Sequence, residues 1–453
     1  MENVSDRQDL SYSHEELMEW PREELANLNA VRLGATSAHA VAQFLERLDV
    51  EDRRDVLREI STERAADVLA EMDEEDAAEV LATMRIPRAA RILDDFEPDD
   101  AADVVAALEP EVREDLLDNL ELDSRQSIEE LLVYDPDTAG GLMTTEVDTT
   151  LDDTTVDEAI NMIRQFADNH EDLHYVYVIN ELRQLRGIVS LRKLIQARPQ
   201  QKVSAIMRTD LQGVCTPDMD KEDVALIMAE HNLPDIAVVD DSNTLLGVIT
   251  HDDVLDVIQD EATEDIQKMA GAGGDEDIHD EILFSIRRRQ PWLAVNLVTA
   301  FLAATVVKLF EAEIGALPIL AAVMPIIAGV GGNSGQQSLA ITVRSLALDL
   351  IKEGDSRDIL IRQAVIGLVN GILIGLLAAI MVAFFGGPFR LSVIVFFAMI
   401  INLAVGCLTG TMIPLLLHKL KQDPAQVSSI LLTFVTDTGG FFIFLTLGSL
   451  FLL

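Results

Sequence analysis

The chain has 453 residues, 78 of them Asp or Glu against 34 Lys and Arg, and a formal net charge of −44 at pH 7. The excess lies early: residues 1–286 carry −47 and residues 287–453 carry +3. Such a surface excludes nucleic acid, whose phosphates need Lys and Arg, and points to cations or to a salt-rich cytoplasm where surplus carboxylates keep proteins soluble. Arg outnumbers Lys 26 to 8, which fits salt adaptation. Cys215 and Cys407 fall one in each half, so reduced thiols are expected rather than a disulfide. Residues 1–40 form a polar segment without an apolar signal core, so the acidic half is expected to stay in the cytoplasm.

Residues 41–133 repeat every twelve positions. Apolar pairs recur at Phe44-Leu45, Val56-Leu57, Val68-Leu69, Val80-Leu81, Ile92-Leu93, Val104-Val105 and Leu116-Leu117, separated by acidic turns such as Asp73-Glu74-Glu75-Asp76. Each unit is one short helix that cannot bury its apolar face alone, so stacked units predict an α-helical solenoid. A second repeat follows the junction YDPDTAGGLM at 134–143, with Gly187 and Gly247 sixty residues apart. Each copy places β runs around a turn and then a helix. The copies, 139–200 and 201–261, resemble a pair of CBS modules, an α+β unit that commonly binds adenine nucleotides. The nucleotide signature G-h-h-T-x-x-D is complete only in the second copy, at Gly247, Thr250 and Asp253. The first copy has Ser190 and then Lys193 in place of the ribose-binding Asp. ATP is therefore an expectation for one module.

The helix after the second copy carries Asp253, Asp256, Asp260, Glu261, Glu264 and Asp265. Like charges three or four residues apart destabilise a helix by a few tenths of a kcal/mol per pair. A bound cation would reverse that. Residues 262–288 are expected to connect this acidic helix to the membrane, with an interruption at the Gly-rich run 271–274.

Five apolar stretches follow, at 292–310, 317–340, 364–385, 392–417 and 427–453, each near the ~20 residues a spanning helix needs. The transmembrane domain is thus read as 289–453. Arg287, Arg288, Arg289, Arg344, Lys352, Arg357, Arg362, Lys419 and Lys421 fall on one side of five crossings, which predicts a cytoplasmic N-terminus and an external C-terminus. Asp437 is the one carboxylate well inside an apolar stretch, where a charge costs ~2.5–3.5 kcal/mol on insertion scales. Its Asp-Thr-Gly triplet resembles an aspartic-protease loop, but that chemistry needs a second carboxylate, and Asp349 belongs to a charged loop. The run PIIAGVGGNSGQQS at 325–338 predicts a broken helix lining a cavity, with Asn333, Gln336 and Gln337 as oxygen ligands. Close packing through small residues is the alternative.

The motifs RQPWL at 289–293, GGNSGQQS at 331–338, IPLLL through DPA at 413–425 and the last-span Asp resemble the MgtE family of magnesium channels and transporters. The resemblance implies a multidomain membrane protein without catalytic residues. Its parts would be a superhelical N domain, a CBS pair, a plug helix and five spans, assembled as a homodimer with the pore on the dimer axis. It implies that Asp437, with Asn333, Gln337, Gly331 and Gly332, meets hydrated Mg2+ in transit. It further implies that Asp220, Glu222, Asp253, Asp256, Glu261, Glu264 and Asp265 hold regulatory Mg2+, with Asp99 and Asp103 facing them from the solenoid. Asn232 stands where an acidic residue is often found. A single carboxylate per subunit suits an ion that gives up its water reluctantly. A broader carrier of cobalt, nickel or manganese and a nucleotide-sensing membrane scaffold stay open as other readings.

Overall fold

The computed structural model describes residues 11–21, 25, 28–166, 174–211, 213–274, 276, 282–348, 350–352 and 354–452. Asp349, and residues 275 and 277–281 of the expected connector, lie outside the described residues. The chain divides into two compact units, Met1–Ile258 and Gln259–Leu453.

In the first unit, α1 (His14–Met18) and α2 (Ala30–Ala35) precede the repeat. The repeat then forms α3 (Ala38–Leu45), α4 (Val50–Leu57), α5 (Thr62–Ala70), α6 (Glu74–Thr83), α7 (Ile86–Leu93), α8 (Pro98–Ala107), α9 (Pro110–Leu117) and α10 (Leu122–Leu131). Apart from α4, each packs on the helix two places before it, which builds a two-row superhelix. The apolar pairs explain this: Leu45, Leu57, Leu69, Leu81, Val105 and Leu116 are fully buried. The acidic turns start the next helix. Asp73 accepts hydrogen bonds from the backbone N–H groups of Glu75 and Asp76, and proline opens α8 and α9. Arginines cap earlier carbonyls: Arg53 donates to those of Leu45 and Leu48 and Arg113 to that of Leu108, each in the turn before its helix, while Arg88 reaches back to those of Leu57 and Ile60. These three guanidiniums therefore support carbonyl ends, and Arg53 also pairs with Asp76 at 2.6 Å.

The sixty-residue repeat yields two matching sheets. One comprises β1 (Thr149–Leu151), β2 (Tyr175–Ile179) and β3 (Leu185–Ser190), and the other β4 (Val214–Cys215), β5 (Asp235–Val239) and β6 (Leu245–Thr250). In each, the first pair of strands is parallel and the second antiparallel, with one irregularity at the same place. Helices α11 (Val156–Phe166), α12 (Leu191–Gln196) and α13 (Lys221–His231) complete the pair. The segment leading into each copy bridges to the sheet of the other, Thr144 to Val248 and Arg208 to Ile188. That exchange explains the two glycines. A Cβ on Gly187 would lie 2.6 Å from the Arg208 carbonyl oxygen, and one on Gly247 would lie 2.5 Å from that of Thr144. One apolar core runs from the solenoid through Ala139 and Met143 to Val224, Ile236, Val254 and Val257 of the second module.

Helix α14 (His251–Ala270) is continuous across 261, so the expected border between module and connector falls inside it. It ends in a Schellman motif: the Ala272 N–H donates to the Gln267 carbonyl, the Gly271 N–H donates to that of Lys268, and Gly271 has φ +83°. The predicted interruption is thus a helix stop.

Among its described residues the second unit has five helices long and apolar enough to cross a membrane: α15 (Ile282–Leu309), α17 (Ile319–Ala347), α18 (Ser356–Phe384), α19 (Phe389–Lys419) and α20 (Pro424–Leu452, its apolar window Val427–Leu452). Short α16 (Glu311–Ala316) joins the first two. The expectation of a broken helix at 325–338 is not met, for α17 runs unbroken through Pro325 and the glycine run. Close packing accounts for its glycines. A Cβ on Gly406 would lie 2.6 Å from the Gly331 carbonyl oxygen, and one on Gly410 would lie 2.2 Å from that of Gly335. Two GxxxG faces, Gly331/Gly335 and Gly406/Gly410, therefore interlock, and α19 lies parallel to α17. A stripe of Gly367, Gly371 and Gly375 seats α18 on α19 in the same way.

Candidate cation sites

In the first unit, Pro98 starts α8 and places Asp99 and Asp100 in its first turn, with Asp103 one turn on. These carboxylates lie within electrostatic reach of Asp253 at the start of α14. Asp99 is 7% exposed, and its Oδ1 has no hydrogen-bond partner among the described residues. Burial, and then the Asp253 charge, push Asp99 well above the usual carboxylate range. The same two causes, in that order, take Asp100 to about 8. Burial, with Glu74 and Asp253 beside it, takes Asp103 to about 7, against the opposing pull of Lys221. Burial holds Asp253 at about 6 although Thr250 Oγ1 donates to its Oδ2 at 2.6 Å. Lys221 is drawn toward Asp137, 2.5 Å away. The cluster is a set of negative charges with too few protein cations, which only protons or bound cations can relieve. No three Asp, Glu, His or Cys side chains among the described residues converge tightly enough to hold a bare metal ion.

The other predicted sensor residues are dispersed. Asp220 caps α13 by accepting from the Glu222 N–H at 2.9 Å, and Asn232 ends that helix in the left-handed region at φ +49°. An asparagine there serves the backbone, since Asn tolerates that conformation better than most residues. Gly247 and Thr250 lie on β6, and the Asp253 carboxylate expected for a ribose is the one turned to Thr250 and the α8 acids. Asp256 is exposed, while Glu261 and Asp265 are half-buried. Asp100 was missed by sequence reasoning. Its signal was available, because a helix begun by Pro98 whose first turn is Asp-Asp presents two adjacent carboxylates on one rim.

In the second unit, Glu264 is paired with Lys268 at 2.6 Å, and Lys268 also reaches Asp423 at 2.9 Å. Burial opposes the Lys268 charge, but hydrogen bonds to both carboxylates outweigh it and raise its pKa. Asp423 in turn accepts from the Ala425 N–H at the start of α20. Met269 packs beside it against the core of Leu339, Val343, Ile413, Ala425 and Leu432. The end of α14 is thus held to the ends of α17, α19 and α20.

Along the spans, α17 and α20 run antiparallel: Gly332 faces Thr436, Gly335 faces Leu432, and the Gln336 amide donates to Ser429 Oγ at 3.1 Å. Asn333 and Gln337, one turn apart, are exposed on α17, while Thr433 is exposed and Asp437 half-buried on α20. Gly332 belongs with this polar row. Gly331 does not, because it is buried against Asn402. Ser334, Ser338 and Thr342 lie on the inner face and meet Cys407, Gln363 and Thr411.

Comparison with known sequences follows the same divisions. Residues 36–137 match the MgtE intracellular N domain, 139–199 and 203–260 match CBS domains, and 324–447 match the MgtE family described as divalent cation transporters. A magnesium transporter MgtE of Thermus thermophilus is 35% identical over 333 residues, 73% of each chain. The chain belongs to the MgtE family. A crystal structure of the soluble part of a magnesium transporter, 32% identical, covers 55% of this chain and all of that one, with a TM-score of 0.51. A cytosolic domain of the Mg2+ channel MgtE in complex with ATP is 34% identical over 52% of this chain and 93% of that one, with a TM-score of 0.47. Within the MgtE transporter match lie both the GGNSGQQS run and Asp437. The solenoid, CBS pair and five apolar helices together make this a multi-pass membrane protein of the MgtE type.

Proposed function

We propose that the protein carries Mg2+ across a cell membrane as a homodimer, with the first unit cytoplasmic and the C-terminus external, and that cytoplasmic Mg2+ regulates the passage. The observation that carries this reading is the polar row Asn333, Gln337, Thr433 and Asp437 on adjacent faces of α17 and α20. A lipid-facing surface with a carboxylate is costly, so a second copy closing over this row to form a hydrated path accounts for it. Mg2+ keeps several waters and favours one or two carboxylates, which a dimer with one Asp437 per subunit supplies. Softer metals would call for Cys, Met or His ligands, and none belongs to the row. Regulation falls to Asp99, Asp100, Asp103 and Asp253, with Glu264 and Asp265 farther along α14. Moving a two-state gate from 1:99 to 99:1 needs about 5.5 kcal/mol of differential binding. Several sites of ~1–3 kcal/mol each are sufficient. Mg2+ rather than ATP is the occupant we assign beside Asp253, because the nearby α8 acids repel its carboxylate and would repel a polyphosphate, whereas a cation relieves that repulsion. The test is Mg2+ uptake into proteoliposomes by Asp437→Ala: uptake should fall to background, and parental uptake would overturn the pathway.

A further inference from the structure

We infer that Asn402 is the positioning residue that sets the register of α17 on α19, and with it the height of Asn333 relative to Asp437. The inference rests on the pathway reading above and adds to it a residue that faces no ion. Asn402 lies in the apolar run FFAMIINLAVGC and is 0% exposed. It continues the small-residue face of α19, since Asn402, Gly406 and Gly410 recur every four residues. Opposite them α17 presents three carbonyls at the same interval, those of Ile327, Gly331 and Gly335. Gly410 and Gly406 simply clear space for the Gly335 and Gly331 carbonyls. Asn402 breaks the pattern: its Nδ2 donates to the Ile327 carbonyl at 2.8 Å.

Two smooth glycine faces could slide by one turn and pack almost as well. One directional amide bond at the end of the row distinguishes the correct register, as single buried polar residues do in helical bundles. The neighbours are shaped for it. A Cβ on Gly331 would lie 2.0 Å from Nδ2, and one on Gly440 would lie 3.0 Å from the same atom. Gly440 stands three residues past Asp437 on α20, and Gly331 two residues before Asn333 on α17. The amide is therefore wedged between the two turns that carry the candidate ion contacts. It is held at a cost: Oδ1 has no partner among the described residues, and a buried unpaired carbonyl is destabilising where a leucine would not be. Such a residue serves specificity rather than stability.

The experiment compares full-length Asn402→Leu, Asn402→Ala and Gly331→Ala with the parent in proteoliposomes, reading Mg2+ and Co2+ flux and, separately, thermal stability. Asn402→Leu should keep or raise the melting midpoint, yet lose about tenfold or more in Mg2+ flux and change its Co2+ to Mg2+ flux ratio, because reacting groups tolerate little misplacement. Gly331→Ala, which expels the amide, should reproduce the flux loss and add little to Asn402→Ala, as expected for two changes acting on one contact. Parental flux and ratio in folded Asn402→Leu, or additive losses in the double variant, would overturn the inference. Should Asn402→Leu fail to fold, Gly331→Ala and the double variant decide the matter alone. Asp437→Ala is run alongside: loss of flux there with parental flux in the Asn402 variants refutes only the register role.

Discussion

At the scale of single residues, Asp253 stands where two readings of the first unit meet. The sequence offers it two roles, as the last residue of a nucleotide signature and as the first of an acidic helix, and cannot rank them. The proposed function takes the second, because three α8 carboxylates lie within electrostatic reach of it and all are raised. Asp253, Asp103 and Asp100 titrate at about 6, 7 and 8, and Asp99 is raised as well. All four bind protons more tightly folded than unfolded, so their contribution to stability is full below the ordinary value of 3.8 and is lost as pH rises from there through about 6 to 8. A cation that replaces those protons must release them. Mg2+ binding near pH 7 should therefore expel protons and tighten as pH rises through that window. Calorimetry in two buffers of different ionisation enthalpy measures this directly, and identical heats would show that Mg2+ displaces no protons from the cluster. Asp99, Asp103 and Asp253 were legible beforehand through the family resemblance. Asn402 was not, because a lone amide in an apolar run has no pattern until the carbonyl it meets is known.

At the scale of elements, the glycines were read correctly as departures and incorrectly as breaks. Composition alone weighs Gly331, Gly332 and Gly335 by their poor helix propensity, whereas in α17 tertiary packing overrides it. The close approach of α17 and α19 depends on having no Cβ at Gly335 and Gly410. Gly410→Ala should therefore overpack the crossing and destabilise the second unit by ~1–3 kcal/mol, despite alanine's better helix propensity. Gly439→Ala is the matched control, since nothing lies within 4 Å of its missing Cβ. Thermal unfolding of both variants in the same detergent is the measurement, and equal midpoints would remove the packing explanation. The solenoid shows the opposite case: its twelve-residue period was plain because each helix repeats one burial problem. The arginine caps at Arg53, Arg88 and Arg113 were hidden by the same sequence, since their partners are backbone carbonyls, which carry no side-chain signal.

At the scale of the whole molecule, the proposed switch predicts that the first unit tightens as Mg2+ fills the acid cluster. In the full chain, millimolar Mg2+ should protect residues 41–258 from limited proteolysis, and sodium at matched ionic strength should not. Asp100→Asn with Asp103→Asn removes two of the repelling charges and should give protection without added Mg2+. Equal digestion under all conditions would reduce the acidity to salt adaptation. What the sequence determined by itself is whatever repeats or accumulates along the chain: the charge partition, the twelve- and sixty-residue periods, five apolar stretches and one carboxylate inside the last. These survive without a fold because each is a sum over neighbouring residues. Only the tertiary structure decided which acids crowd together, that α17 stays whole, and that Asn402 answers the Ile327 carbonyl. Those are pairings between residues 75 to about 150 positions apart, and their free energies depend on burial and distance, which no local pattern carries.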